Sequence, residues 1–272
     1  MKQTDNLQTG AAARTPEHPK APLKESLLRL LWKASGRRNS VDTFFTGLLK
    51  HRRYLKTVDA KQCIPRFDET EVRLRQCPLG VWSTPLIDVY ILIKAAMGFN
   101  SRRILELGSY RGDTARLIAE NTGDDTRICT VDIYPDHGAA YKDLLLARRI
   151  ERRVGAIRPG LFSAGEKFDF IFVDADHDYK SVMNDTAVAF DVLSDQGVIF
   201  WHDYRFDGYF HGMAGVPETL RHFAQQNAIV SIESSLLAMH SRYPGWETKK
   251  LLAQGPVTTG KTDTWNDTGV RG

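Results

Sequence analysis

The sequence predicts an α/β protein, a doubly wound and mostly parallel seven-stranded sheet with a helical N-terminal extension. Strand-like and helix-like segments alternate from residue 80 onward, which is the order of parallel βαβ units. The segments Ile104-Leu105-Glu106-Leu107 and Phe170-Ile171-Phe172-Val173 are almost continuously apolar, as strands covered on both faces must be. Several of these strands run into glycines, acids or histidines, at the edge where an open α/β sheet binds its ligands.

Residues 1–22 are polar and carry Pro16, Pro19 and Pro22, so a disordered tail is expected. Residues 23–79 are expected to form a helical extension. Leu27, Leu28, Leu30, Leu31 and Trp32 make an apolar stripe ending near Gly36, and a second helix is expected over 41–58. Residues 80–250 form the expected α/β domain, opening with a helix over Pro85–Phe99 whose apolar run is interrupted by Lys94. Strands are expected at 103–108, 127–133, 153–155, 168–174 and 197–203, with helices at 113–121, 139–151, 179–193 and 216–226. A closing β pair follows at 229–232 and 236–240, and residues 251–272 are expected to be a disordered tail.

The composition, 42% hydrophobic and 26% charged over 272 residues, is that of an ordinary globular chain. No stretch reaches the ~20 apolar residues of a membrane-spanning helix. Cys63, Cys77 and Cys129 show no CxxC pairing. That argues against a disulfide framework or a structural zinc site and fits a reducing, cytoplasmic location. The first 60 residues carry twelve Lys/Arg against five Asp/Glu, whereas the whole chain is only +4. A basic arm can attract nucleic acid or an anionic surface, but a solvated tail with basic helix faces explains it as well.

Three motifs carry chemistry. Glu106 ends a buried strand, and Gly108-Ser109-Tyr110-Arg111-Gly112 opens the next helix. Glycines there let backbone approach a ligand and take positive φ. The spacing differs from the G-x-G-x-x-G of nicotinamide-dependent enzymes. Asp132, 26 residues after Glu106, ends the following strand, where a carboxylate can accept hydrogen bonds from both ribose hydroxyls. Then Val173-Asp174-Ala175-Asp176-His177-Asp178-Tyr179 and Phe200-Trp201-His202-Asp203-Tyr204 bring acids and imidazoles to neighbouring strand ends. Such groups are costly to bury unpaired, so a site explains them better than structure does.

These motifs resemble the class I S-adenosylmethionine (SAM)-dependent methyltransferases, which have a Rossmann-like fold. The similarity is greatest to the O-methyltransferases of the catechol and caffeoyl-CoA type and of the macrocin type. It spans about residues 80–242. It implies that Glu106, Gly108, Ser109 and Gly112 line the methionine end of SAM. Asp132 and Ile133 would hold the ribose, with Gly155 and Ala156 near the adenine and Asp174 beside the cofactor. In the metal-dependent branches, positions matching Asp174, His202 and Asp203 bind a divalent cation. Magnesium, manganese, zinc or iron are the candidates, the imidazole favouring the later three. The family's basic catalytic residue falls on His177, and without metal His202 could serve as the base instead.

The expected reaction is O-methylation of a small hydroxyl-bearing molecule, with Trp82, Trp201, Tyr204, Phe206 and Tyr209 as candidate acceptor walls. A homo-oligomer is compatible with this. A nucleic-acid methyltransferase is disfavoured because the fourth strand lacks the N/D-P-P-Y run used on exocyclic amines. A binding protein that lacks turnover is the remaining alternative.

Overall fold

The computed structural model describes residues 55–78, 80, 82–205 and 215–253. The expected tail 1–22, the helix ending near Gly36, the expected second helix up to residue 54, and Phe206, Tyr209 and residues 254–272 lie outside the described residues.

One sheet organises the described chain. Its strands are β1 (Lys56–Val58), β2 (Arg103–Leu107), β3 (Arg127–Asp132), β4 (Ile150–Val154), β5 (Phe168–Val173), β6 (Leu193–Trp201), β7 (Val230–Ile232) and β8 (Ala238–Ser241). The helices are α1 (Ala60–Cys63), α2 (Leu86–Gly98), α3 (Asp113–Asn121), α4 (Tyr179–Val192), α5 (Gly215–Phe223) and α6 (Thr248–Ala253). The strand order is β1-β7-β8-β6-β5-β2-β3-β4. Every pair is parallel except β6/β8 and β7/β8. The chain winds outward from β2 through β3 to β4, then returns to place β5 against the other side of β2. That reversal makes β2/β5 the topological switch point, where ligand crevices of such sheets open.

Alternation along the strands divides the core between the two faces. Ile104, Phe170, Phe172, Val198 and Phe200 point to one face, where Val89, Leu92 and Ile93 of α2 and Leu117 and Ile118 of α3 cover them. Leu105, Ile171, Val173, Ile199 and Trp201 point to the other, beneath Val182, Ala189 and Val192 of α4 and Leu220 of α5. Lys94, which breaks the apolar run of α2, is buried and donates from Nζ to the Phe67 carbonyl at 2.7 Å. It pins the segment after α1 to α2.

The α/β class and the parallel order hold, with three corrections. The sheet has eight strands, because Lys56–Val58 pairs in parallel with β7 instead of ending a helix. The expected helix over 139–151 is mostly turns, with a 3₁₀ segment at Leu145–Arg149. Its apolar spacing is overridden by Tyr141, which is buried with its hydroxyl 3.0 Å from Thr130 Oγ1. Residues 251–253 belong to α6 instead of a disordered tail. No helix among the described residues is long and apolar enough to cross a membrane.

Candidate active site

The carboxyl ends of β2 to β5 open onto a cavity of about 930 Å³. Its walls include Glu106, Gly108 and Ser109 after β2, Asp132 and Ile133 after β3, and Gly155 and Ala156 after β4. Asp174 and His177 after β5 complete it, with Trp82 and Thr84 from the segment before α2.

The turn after β2 needs its glycines. Gly108 has φ +85°, and a Cβ there would come within 2.1 Å of the Asp174 carbonyl oxygen. Gly112 takes φ +80° at the start of α3, where a Cβ would strike the Tyr141 ring at 2.3 Å. Gly112 shapes the loop and is not among the residues that line the cavity.

Asp132 holds this loop directly. Its Oδ2 accepts from the backbone N–H of Ser109 at 2.9 Å and of Tyr110 at 2.7 Å, and its Oδ1 from that of Tyr134 at 2.9 Å. Glu106 is buried, and its Oε2 finds no hydrogen-bond partner among the described residues. Burial pushes its carboxyl up to about 8. A buried polar atom without a partner is costly, and a hydrogen-bonding group of a ligand would relieve it.

The acid and imidazole rim has two layers. His177 lines the cavity, half-buried, with Nε2 2.5 Å from Asp203 Oδ2. That bond raises the His177 pKa above its ordinary value. Asp203 and His202 lie beneath, both buried and neither lining the cavity. His202 Nε2 is 3.1 Å from Asp88 Oδ2, and its Nδ1 lies 3.2 Å from Asp203 Oδ2 and 3.3 Å from Asp174 Oδ1. Burial opposes a charged ring there, but the surrounding carboxylates outweigh it and His202 is pushed up to about 12. Burial would likewise raise Asp203, but its bonds to His177 and His202 hold it below the usual carboxylate range. Asp203 sits at φ +57°, a conformation few residues other than glycine adopt, and one that clusters at functional sites.

Asp174, His177 and Asp203 offer ligand atoms that all lie within 4.8 Å of one another. This set exchanges His177 for the His202 expected from the sequence. His202 instead holds carboxylates with both ring nitrogens. Asp88, fully buried in α2, was not foreseen as its partner. Its signal is an acid inside the otherwise apolar run Leu86-Ile87-Asp88-Val89. Two expected acceptor walls are also corrected. Trp201 is in the core with Nε1 donating to Thr186 Oγ1, and the buried Tyr204 hydroxyl accepts from the Leu55 N–H.

Residues 105–204, from β2 through the end of β6, match a family model described as a methyltransferase domain. No curated protein sequence matches the chain. Among solved structures it is similar to a Podospora anserina methyltransferase bound to S-adenosylhomocysteine (SAH), at 18% identity and TM-score 0.50, covering 63% of this chain and 89% of that one. TomG, the Streptomyces achromogenes O-methyltransferase of tomaymycin synthesis solved with SAM, is 19% identical, with TM-score 0.48, over 74% and 95% of the two chains. A Bacillus cereus O-methyltransferase solved with SAH is 16% identical, with TM-score 0.45, over 59% and 83%. At these identities the likeness is one of fold.

Proposed function

We propose that this protein is a methyltransferase that binds SAM along the carboxyl edge of β2–β4 and methylates a hydroxyl group of a small molecule, with His177 as general base. One observation carries the proposal: His177 shares a single cavity with Glu106, Gly108 and Asp132 and is held there by Asp203. The residues fit the cofactor. Glu106 supplies an unpartnered buried carboxyl oxygen, Gly108 a close backbone approach, and Asp132 a carboxylate for the ribose.

Bound SAM supplies an electrophilic methyl group on a sulfonium. The chain must align the acceptor oxygen with it and remove the hydroxyl proton. With His177 Nε2 donating to Asp203, Nδ1 is the nitrogen that takes the proton from the acceptor oxygen. The resulting imidazolium is stabilised by the Asp203 carboxylate and returns its proton to solvent after transfer. Asp203 fixes the tautomer, and His202 with Asp88 holds Asp203 in place from below. The exposed Trp82, the Tyr110 ring and the Arg111 side chain at the mouth would meet the acceptor.

A second arrangement is favoured by the convergence of Asp174, His177 and Asp203. These three would hold a divalent cation, which would supply Lewis-acid activation of the hydroxyl. His177 cannot be ligand and base together, so the two arrangements are exclusive. Turnover of labelled SAM with a panel of hydroxylated metabolites, before and after exhaustive chelation, separates them. The base mechanism predicts unchanged rates, whereas loss of turnover restored by one divalent ion assigns the three residues to a metal.

A further inference from the structure

The segment that carries His202 and Asp203 is fastened from outside the alternating α/β part of the chain. Asp203 holds a left-handed conformation that an aspartate keeps only where its neighbours enforce it. On its N-terminal side, His202 is bound to Asp88. On its C-terminal side the enforcement comes from β1, the strand contributed by the N-terminal extension. The buried Tyr204 hydroxyl accepts from the Leu55 N–H at 3.1 Å, across 149 positions of chain. The next residue, Arg205, donates from Nη2 to Thr57 Oγ1 at 2.7 Å.

β1 is itself seated on the sheet. Thr57 stands opposite Ser231 of β7 with the two hydroxyls 3.0 Å apart, and the Val58 carbonyl accepts from the Glu233 N–H at 2.9 Å. The turn after β7 then reaches back to the rim. Its Leu236 carbonyl accepts from the Tyr204 N–H at 2.9 Å, and the Leu236 N–H donates to Asp88 Oδ1 at 3.1 Å. Residues 202–205 are thus gripped by α2, the β7–β8 turn and β1 together. Tyr204 directly follows Asp203, so any movement of its ring passes into the Asp203 backbone, and a misplacement of ~1 Å at a reacting group can cost about 100-fold in rate. We propose that Tyr204 is a positioning residue: anchored on β1 through Leu55, it keeps the Asp203 carboxylate aimed at His177, which makes β1 a requirement of turnover and not of cofactor binding. The inference rests on His177 acting as the base, as proposed above.

Steady-state turnover of full-length variants on hydroxylated acceptors, with SAH affinity measured alongside by calorimetry, tests it. Tyr204→Phe leaves the Leu55 N–H without its acceptor, and Thr57→Val removes the Arg205 acceptor from β1 itself. Both are expected to lower kcat, roughly tenfold for Tyr204→Phe and less for Thr57→Val, with SAH affinity unchanged. In a His177→Ala background each is expected to cost almost nothing further, because the group being positioned is gone. Wild-type kcat in Tyr204→Phe, a loss that persists in full in the His177→Ala background, or an equal loss of SAH affinity overturns the assignment. Should Tyr204→Phe fail to fold, Thr57→Val decides by the same three criteria. Absence of turnover in the wild type, or wild-type turnover in His177→Ala, overturns the proposed function instead, and this assignment with it.

Discussion

His177 Nε2 lies 2.5 Å from Asp203 Oδ2, although the two residues are 26 positions apart and leave different strands. The pair makes an oriented imidazole at the cavity wall with its counter-charge buried behind it. The bond stabilises the protonated ring, so His177 becomes a competent base only above the ordinary histidine value of ~6.5. The pH–rate profile is expected to rise through a midpoint above that value. Asp203→Asn, which weakens the counter-charge, should move the midpoint down. A midpoint unmoved by Asp203→Asn would assign the limb to another group.

Below this pair, the fully buried Asp88 accepts from His202 Nε2 and, through Oδ1, from the Leu236 N–H at 3.1 Å. Removing one member of a buried ion pair strands the other, at a cost of ~3–5 kcal/mol. Asp88→Ala is therefore expected to lower chemical-denaturation stability by about that amount. The His202 pKa is raised on folding, to about 12. Its stabilising contribution is thus complete below the unfolded value of ~6.5 and declines as pH rises towards the folded one. Denaturation midpoints at pH 6 and pH 9 should fall more for the wild type than for His202→Gln.

Asp132 holds the glycine loop through the backbone N–H groups of Ser109 and Tyr110, accepts a third from Tyr134 in its own loop, and is the residue proposed to hold the ribose. Asp132→Ala should weaken SAH binding by ~1–3 kcal/mol through lost charged hydrogen bonds. Asp132→Asn keeps one acceptor oxygen and should fall between that variant and the wild type. Calorimetry giving wild-type affinity for Asp132→Ala would remove the residue from the site.

At Gly108, φ is +85° and a side chain would run into the Asp174 carbonyl. Gly108→Ala is expected to cost at least ~1–2 kcal/mol for the left-handed backbone, before any displacement of the β5 end. Thermal melting should register the loss, and SAH affinity should fall with it because the loop and the Asp174 turn move apart.

Much of this was legible in the sequence, for identifiable reasons. β2 and β5 announce themselves because strands covered on both faces must be apolar throughout, and their ends carry the acids. β1 is hidden: three edge residues, Lys56–Val58, offer too short a pattern to separate from a preceding helical one. The 139–151 segment has helical spacing, but the burial of Tyr141 against Gly112 and Gly138 decides its conformation. At the site, the motifs brought Asp174, His177, His202 and Asp203 to one rim. They did not state which imidazole faces the cavity, since that depends on Asp88 in α2 capturing His202.

His177 is proposed as the base on a hydroxyl aligned with bound SAM, and SAH formation from labelled SAM across hydroxylated acceptors, for the wild type and His177→Ala, alongside the SAH affinity of both, tests that role. The wild type is expected to turn over, the variant to lose about 100-fold or more in kcat, and both to bind SAH equally. Wild-type turnover in His177→Ala at saturating SAM would remove His177 from the reaction.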